Sequence, residues 1–130
     1  MSSIFSKIIA GEIPCYKIAE NEKFLAFLDI NPVATGHTLV IPKKEIDYIF
    51  DLDDELLAEL MVYSKKIGKA IESVIPCKRI GMTVLGLEVP HAHVHLVPLT
   101  TVGFIDFANK AEVDKEEFAG LAKKIAAAVV

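Results

Sequence analysis

Three of the four histidines in this chain alternate with apolar residues in one short stretch, HAHVHLV, over residues 91–97. Successive side chains of an extended strand point to opposite faces, so His91, His93 and His95 are expected to form a row on one face. Neighbouring rings would then lie roughly 7 Å apart, at a rise of ~3.3 Å per residue. Near pH 7 a neutral imidazole carries one lone pair and one N–H, so this row could attack phosphorus or transfer a proton.

Three interpretations of this row compete on residue type alone. It is a solvated polar face of a half-buried strand, a metal site, or a catalytic group in which one ring is the nucleophile and another the acid or base. Imidazole is a common zinc ligand, but the sequence has no Cys-x-x-Cys or acidic cluster that obviously completes a coordination shell, so we predict no metal. Three histidines in five residues are an unusual choice for a merely solvated face, which favours catalysis.

The surrounding sequence predicts the elements that must position this row. A short helix begins after Ser3, a long helix runs from Asp53 to about Val74, and a last helix over about residues 115–129 begins after Asp114. Strands are predicted at residues 16–20, 23–30, 37–42, 79–86 and 91–99. Short links between neighbouring strands favour antiparallel pairing. We therefore predict one α+β domain over residues 1–130, a five-stranded antiparallel sheet with helices on one face.

Composition narrows the classes of partner. The chain has 130 residues, 52% of them hydrophobic and 25% charged, with a net charge of −4. That charge argues against binding to a nucleic-acid polymer, which needs clustered Lys and Arg, and no apolar run approaches the ~20 residues of a membrane helix. The N-terminus lacks the basic and apolar pattern of a signal peptide, so we expect a cytoplasmic protein with free thiols at Cys15 and Cys77.

The stretch 91–97 resembles the His-φ-His-φ-His-φ-φ signature, with φ apolar, of the histidine-triad family of nucleotide hydrolases and transferases. The resemblance extends back through IFSKIIAGEIP, FLAFLDINPVATGHTLVIPKK and the long helix, and covers roughly residues 3–98. It implies a HIT-like fold and a small-molecule nucleotide as the partner, with no cofactor. It also implies a homodimer that joins two sheets into one, with the long helix at the interface.

The resemblance also implies roles for the four histidines. His93 would attack the α-phosphorus of a nucleotide and form a covalent nucleotidyl-histidine, which water then hydrolyses. The backbone carbonyl of His91 would accept the hydrogen bond that fixes the tautomer of His93, and His95 would bind phosphate oxygens. His37 would join a hydrogen-bonded chain with His91, although a lone histidine at a strand start is commonly just a partly buried, hydrogen-bonded ring.

The same resemblance implies a nucleotide pocket. Asp29 matches the family's acidic residue that accepts hydrogen bonds from the ribose hydroxyls, while the residues alone predict a turn at DINP. The apolar residues that match the base pocket would otherwise be taken for ordinary core. They are Ile4, Phe5, Ile8, Phe27 and Ile30.

Two departures from the family pattern concern the phosphate site and zinc. The segment 83–90 is shorter than the loop that precedes the triad in many relatives, lacks their Asn, and has Leu87 where Gln stands. We assign Gly86 and Glu88 of this segment to the nucleotide site, with Glu88 near its mouth. Ser3 and Ser6 occupy the places of two zinc-binding cysteines of some relatives, and serine is a poor zinc ligand.

The sequence therefore predicts a hydrolase or nucleotidyl transferase that acts at the α-phosphate of purine nucleoside phosphoramidates or similar nucleotide conjugates. The shortened segment before the triad motivates the alternative. In that alternative the chain is a nucleotide- or partner-binding regulatory module with little turnover.

Overall fold

The computed structural model describes residues 2–100 and 107–130. The predicted order of helices and strands is confirmed, and a short 3-10 turn that was not predicted precedes the long helix. In chain order the elements are α1 (Ile4–Ile9), β1 (Lys17–Glu20), β2 (Phe24–Leu28), β3 (Thr38–Pro42), the 3-10 turn (Ile49–Asp51), α2 (Asp54–Val74), β4 (Arg79–Thr83), β5 (Val94–Leu99) and α3 (Lys115–Ala128).

The five strands form one antiparallel sheet in the order β1-β2-β3-β5-β4, which confirms the predicted pairing. Strand β5, which carries the end of the histidine stretch, therefore lies between two other strands. His95 is paired with Leu39 on β3 and with Thr83 on β4. Hydrogen bonding on both sides fixes the register of β5, and with it the face to which each side chain points.

Regular pairing of β5 begins at Val94, three residues later than predicted, because the amides before it bond elsewhere. The N–H of Ala92 donates to the carbonyl oxygen of Ile46 at 2.7 Å. The N–H of His91 donates to the carbonyl oxygen of Val89 at 2.8 Å. Residues 91 and 92 are thus held by loop hydrogen bonds rather than by the sheet ladder.

Helices cover both faces of the sheet, but unequally. The two long helices, α2 and α3, pack on one face and confirm the predicted layer, and the side chains from the histidine stretch that join this core are Ala92, Val94 and Leu96. The short α1 packs on the opposite face through Phe5, in a smaller cluster with Leu25, Phe27, Leu39 and Ile41. This second layer was not predicted, and it follows from β2, all five of whose residues are buried.

Side-chain capping starts two of the helices. The hydroxyl oxygen of Ser3 accepts a hydrogen bond from the amide of Ser6 at 3.0 Å, and Asp53 caps α2 in the same way. Asp114 does stand at the cap position of α3, but its side chain makes no capping hydrogen bond. Instead its backbone carbonyl accepts from the amide of Glu117 at 3.0 Å.

Gly36 sets the entry into β3 and thereby the position of His37. It is buried, with φ of +92°, and a Cβ built there would lie 2.9 Å from Cγ1 of Ile75 and 3.3 Å from Cγ of Pro98. Only glycine adopts that backbone conformation without strain, and only glycine fits that space.

None of the helices within the described ranges has both the length and the apolar character needed to cross a membrane.

Candidate active site

The three histidines of the stretch point to the face that carries α1, as the alternation predicts. Their exposed fractions are 0% for His91, 5% for His93 and 7% for His95. The rings of His93 and His95 lie closer together than the strand spacing suggests, with 4.8 Å between their centroids. The solvated-face interpretation is therefore wrong, because all three rings are buried. Buried imidazoles require hydrogen-bond partners.

The ring of His93 is held by the backbone of the same stretch. Its Nδ1 lies 2.7 Å from the carbonyl oxygen of His91, which can only accept a hydrogen bond. The proton of a neutral His93 is therefore on Nδ1, and Nε2 keeps its lone pair. The ring of Phe5 packs edge-on against it, with 5.0 Å between the centroids. The hydrogen bond that the family resemblance implied is thus present.

A second chain of hydrogen bonds fixes the tautomers of His37 and His95. The amide of Val33 donates to Nδ1 of His37 at 3.1 Å, so the proton of a neutral His37 is on Nε2. That Nε2 lies 3.0 Å from Nδ1 of His95 and donates to it. The proton of a neutral His95 is consequently on its Nε2. His93 and His95 therefore present opposite groups, a lone pair and an N–H.

The expected link between His37 and His91 is wrong. His37 bonds with His95, the third histidine of the row, because β3 is paired with β5 and Leu39 lies opposite His95. His91 has other partners: its Nε2 donates to the carbonyl oxygen of Pro42 at 2.7 Å, and its Nδ1 lies 2.8 Å from the hydroxyl oxygen of Ser3.

Burial favours the neutral form of His37, His91 and His95. It lowers the pKa of His37 from 6.5 to about 4 and the pKa of His95 to about 3, and repulsion from the ammonium group of Lys110 adds to both shifts. Burial also lowers the pKa of His91, against the opposing effect of its hydrogen bond to Pro42. Since His37 is neutral, its contact with Asp29, 3.6 Å between Nε2 and Oδ2, is not an ion pair.

A cavity of about 240 Å³, called the histidine cavity below, opens in front of the row. His93 and His95 line it, whereas His91 and His37 lie behind these two rings. The predicted nucleotide-binding residues that also line it are Ile4, Phe5, Ile8, Phe27, Asp29, Ile30 and Glu88. Ile4 and Ile30 are 49% and 65% exposed, so they form the outer part of this histidine cavity.

Gly86 is the predicted site residue that the structure places elsewhere. It lines a different cavity, of about 700 Å³, together with residues of the 3-10 turn and α2. Its φ of +81° indicates a turn in the segment before the triad, which directs that residue away from the histidines. Glu88, two residues later, returns to the histidine cavity.

Asp29 both closes the predicted turn and lines the histidine cavity. Its Oδ1 accepts a hydrogen bond from the amide of Asn31 at 2.8 Å, which closes the predicted turn. Burial raises the pKa of its carboxyl group, and the Asn31 amide, Lys110 and His93 act against that rise. The carboxyl group lies on the wall of the cavity, where a hydroxyl-bearing ligand could reach it.

Sequence reasoning missed several polar residues of the site, of which Lys110 is the most consequential. Lys110, Asn31 and Cys15 all line the cavity. The ring of Phe107 also packs against His95, with 4.8 Å between the centroids. Lys110 and Phe107 lie beyond the stretch that resembles the family, and no periodic pattern connects them with the histidines.

The structure also brings together a group with metal-ligating atoms. Oxygen or nitrogen atoms of Asp29, His37 and His95 lie within 4.8 Å of one another, a cluster that the sequence did not reveal. The facing nitrogens of the two rings are engaged with each other, which leaves no free lone pair between them. At α1, the Ser3 hydroxyl bonds to His91 and the Ser6 hydroxyl bonds to Glu45. Neither the two serines nor the group around His37 therefore fits a zinc ion.

Three buried histidines alternate with core residues from the loop before a central strand into that strand, and two of them line one cavity with a carboxylate. These features define a histidine-triad protein. The HIT domain matches residues 10–102 of this sequence. The chain therefore belongs to the HIT family.

Relatives with this fold come from distant organisms. An uncharacterised HIT-like protein of Borreliella burgdorferi is 36% identical over 131 residues, 94% of each chain. An adenosine 5′-monophosphoramidase of Schizosaccharomyces pombe is 43% identical over 100 residues, 75% of this chain and 74% of the relative. A HIT-like protein from Bartonella henselae, described as involved in cell-cycle regulation, superposes with a TM-score of 0.86 at 34% identity, over 98% of this chain and 96% of the other.

Replacing Ser3 by alanine is expected to destabilise the fold around His91. The change removes the cap of α1 and leaves the buried Nδ1 of His91 without a donor, which should lower the free energy of unfolding by about 1–3 kcal/mol. Urea denaturation measures this loss. Ser6→Ala is the control, because it removes an exposed hydrogen bond to Glu45 and a 3.4 Å contact with the Ser3 hydroxyl, but keeps both the cap and the contact between Ser3 and His91. Equal losses in the two variants would contradict the assigned role of Ser3.

The stability of the fold is expected to decrease below neutral pH. Between pH 4 and 6.5 the unfolded chain binds protons that the buried rings of His37 and His95 do not, so the free energy of unfolding falls as the pH falls through this window. For one such ring the effect is roughly 3 kcal/mol.

Urea denaturation from pH 7.5 to 4.5 should therefore show a shallower dependence on pH in His37→Gln than in the unmodified chain. Glu20→Gln is the control, because the pKa of this exposed carboxyl group is about 2 in the folded chain against an ordinary value of 4.5, so it affects stability only at the acid end of this range. An unchanged slope in His37→Gln would refute the assignment of a neutral buried ring.

Proposed function

We propose that this chain hydrolyses nucleoside phosphoramidates, or similar nucleotide conjugates, at the α-phosphate, with His93 as the nucleophile. One observation carries the proposal. The Nδ1 of His93 is occupied by a backbone carbonyl, so the lone pair is on Nε2, and the ring lies on the wall of a cavity that also holds a carboxylate and apolar side chains. The S. pombe relative, named as an adenosine 5′-monophosphoramidase, supports the same class of substrate.

The reaction proceeds in two displacements. The Nε2 lone pair of His93 forms a bond to the α-phosphorus, while the bond from phosphorus to the leaving nitrogen or oxygen breaks and its electron pair departs with that group, which takes a proton from solvent. Water then attacks the same phosphorus, the P–Nε2 bond returns its pair to the ring, and a proton goes to solvent. A covalent nucleophile thus divides one difficult step into two easier ones.

The other histidines prepare His93 and the phosphate site. The bond from Nδ1–H to the carbonyl of His91 strengthens when His93 becomes cationic in the covalent intermediate, since a charged donor forms a stronger hydrogen bond. His95 presents Nε2–H, the group required to bind a phosphate oxygen. His37 acts behind it, by holding Nδ1 of His95 as an acceptor.

The remaining surfaces of the cavity suit a nucleoside. The base packs among apolar side chains that include Phe5 and Phe27, and the ribose hydroxyls donate to the carboxylate of Asp29. An apolar pocket accepts several bases, so the choice between purines is weakly determined.

Free thiols at Cys15 and Cys77 support a cytoplasmic location within the same proposal.

The covalent step is tested with an adenosine phosphoramidate. The expected outcome is steady release of AMP, an adenylated peptide that contains residues 91–98 after a rapid quench, and loss of both in His93→Ala. We expect the variant to lose at least about 10³-fold in kcat, as removal of a nucleophile generally does. Tight nucleotide binding with neither turnover nor adduct would instead identify a nucleotide-binding module.

A homodimer is the second part of the proposal. An apolar surface surrounds the cavity of about 700 Å³ next to α2, and Phe50 and Leu87 on it are 74% and 95% exposed. Strand β4 is an edge of the sheet on the same side. Large exposed apolar side chains beside an unpaired strand edge are typical of a surface that is covered by another chain.

Sedimentation equilibrium is expected to give twice the chain mass of 14.2 kDa. Phe50→Lys should shift the chain towards the monomer, because it places a charge in the apolar contact. Val62→Lys, at an apolar residue of α2 that is 69% exposed and lines a different surface, should leave the dimer intact. A monomeric unmodified chain at micromolar concentration would refute the dimer.

A further inference from the structure

Of the segment before the triad, only Glu88 and Val89 line the histidine cavity, so this segment brings a carboxylate and no cation to the proposed phosphate site. The α-phosphate is an anion, and the displacement increases the charge on its oxygens and on the leaving group, so counter-charge at this point accelerates the reaction. Among the described residues that line the histidine cavity, Lys110 is the one lysine or arginine, and it brings an ammonium group. It comes from the opposite end of the chain, between β5 and α3.

The fold holds Lys110 beside the triad by contacts on two sides. The amide of Ala111 donates to the carbonyl oxygen of Pro32 at 2.7 Å, which ties this segment to the turn that follows Asp29. The ring of Phe107 lies edge-on to His95, 4.8 Å between centroids, and Nζ of Lys110 lies 5.5 Å from the centre of the Phe107 ring. The ammonium group is therefore placed near both the turn and the third histidine.

The charge of Lys110 acts on the groups that would surround a bound phosphate. It opposes the burial that raises the pKa of Asp29, and it adds to the burial that lowers the pKa of His95. Both effects require the ammonium group to lie within Coulombic range of the ribose carboxylate and of the phosphate-binding ring. The α-phosphate of a nucleotide lies between its ribose and the attacking histidine, which is the space that Lys110 borders.

We propose that Lys110 binds a non-bridging oxygen of the α-phosphate and stabilises its charge during displacement, a cation that residues 83–90 do not supply. This inference rests on the proposed function. The reaction itself is unchanged, because Lys110 neither gives nor takes a proton. The lysine raises affinity for the phosphate and lowers the barrier, whereas the nucleoside part of the ligand does not depend on it.

Binding and turnover together test this role. Titration calorimetry of the full chain should show that Lys110→Met weakens AMP binding by about 10- to 100-fold, as expected for loss of a charge-assisted hydrogen bond, and leaves adenosine binding unchanged. kcat/KM for the phosphoramidate should fall by a similar factor. Lys110→Arg should retain most of both, and Lys115→Met, an exposed lysine at the start of α3, should match the unmodified chain.

The outcomes separate the lysine from the proposed function. Equal AMP affinity in Lys110→Met and the unmodified chain would overturn the inference, and so would equal weakening of AMP and adenosine, which indicates that Lys110 only holds the segment in place. An unmodified chain that shows no turnover, but whose AMP binding depends on Lys110, would refute the hydrolase and retain the phosphate contact.

Discussion

The ring of His91 connects the parts of this structure on which the site depends. One of its nitrogens bonds to the end of β3 and the other to the cap of α1, while its own carbonyl holds the ring of His93. All of these contacts are buried, so none of them exchanges readily with water and each lost bond leaves a polar group unsatisfied. The first helix, the third strand and the ring of His93 are therefore positioned by a single residue.

The alternation along residues 91–97 gives one strand two tasks. Ala92, Val94 and Leu96 are at most 1% exposed and belong to the core beneath α2 and α3. Burial of each larger side chain among them contributes about 1.5–3 kcal/mol, which stabilises the register of the strand. The same register turns the imidazoles towards α1 and the cavity. Core packing and site geometry are therefore linked, because a shift of one residue would exchange the two faces.

Local patterns predicted most of the fold, and long-range contacts account for what they missed. Helix caps, the apolar stripe of α2 and strand alternation are properties of neighbouring residues, which is why Ser3, Asp53 and the row of histidines were located correctly. The partner of His37 depends on which strand lies beside β3, and strand order is not contained in any single segment. Lys110 reaches the cavity through a loop with no periodic pattern, and Gly86 leaves it through a turn with positive φ.

Two peptide groups determine which ring nitrogen carries the proton in the neighbouring rings of His93 and His95. The amide of Val33 can only donate and the carbonyl of His91 can only accept, so the main chain assigns electron-pair donation to His93 and proton presentation to His95. Peptide groups do not ionise in the physiological range, and the carbonyl of His91 is present whatever the side chain at that position. The orientation of His95 depends in addition on the side chain of His37, which connects it to the amide of Val33. The opposite polarity of the two rings is thus set by the main chain, directly at His93 and through one further imidazole at His95.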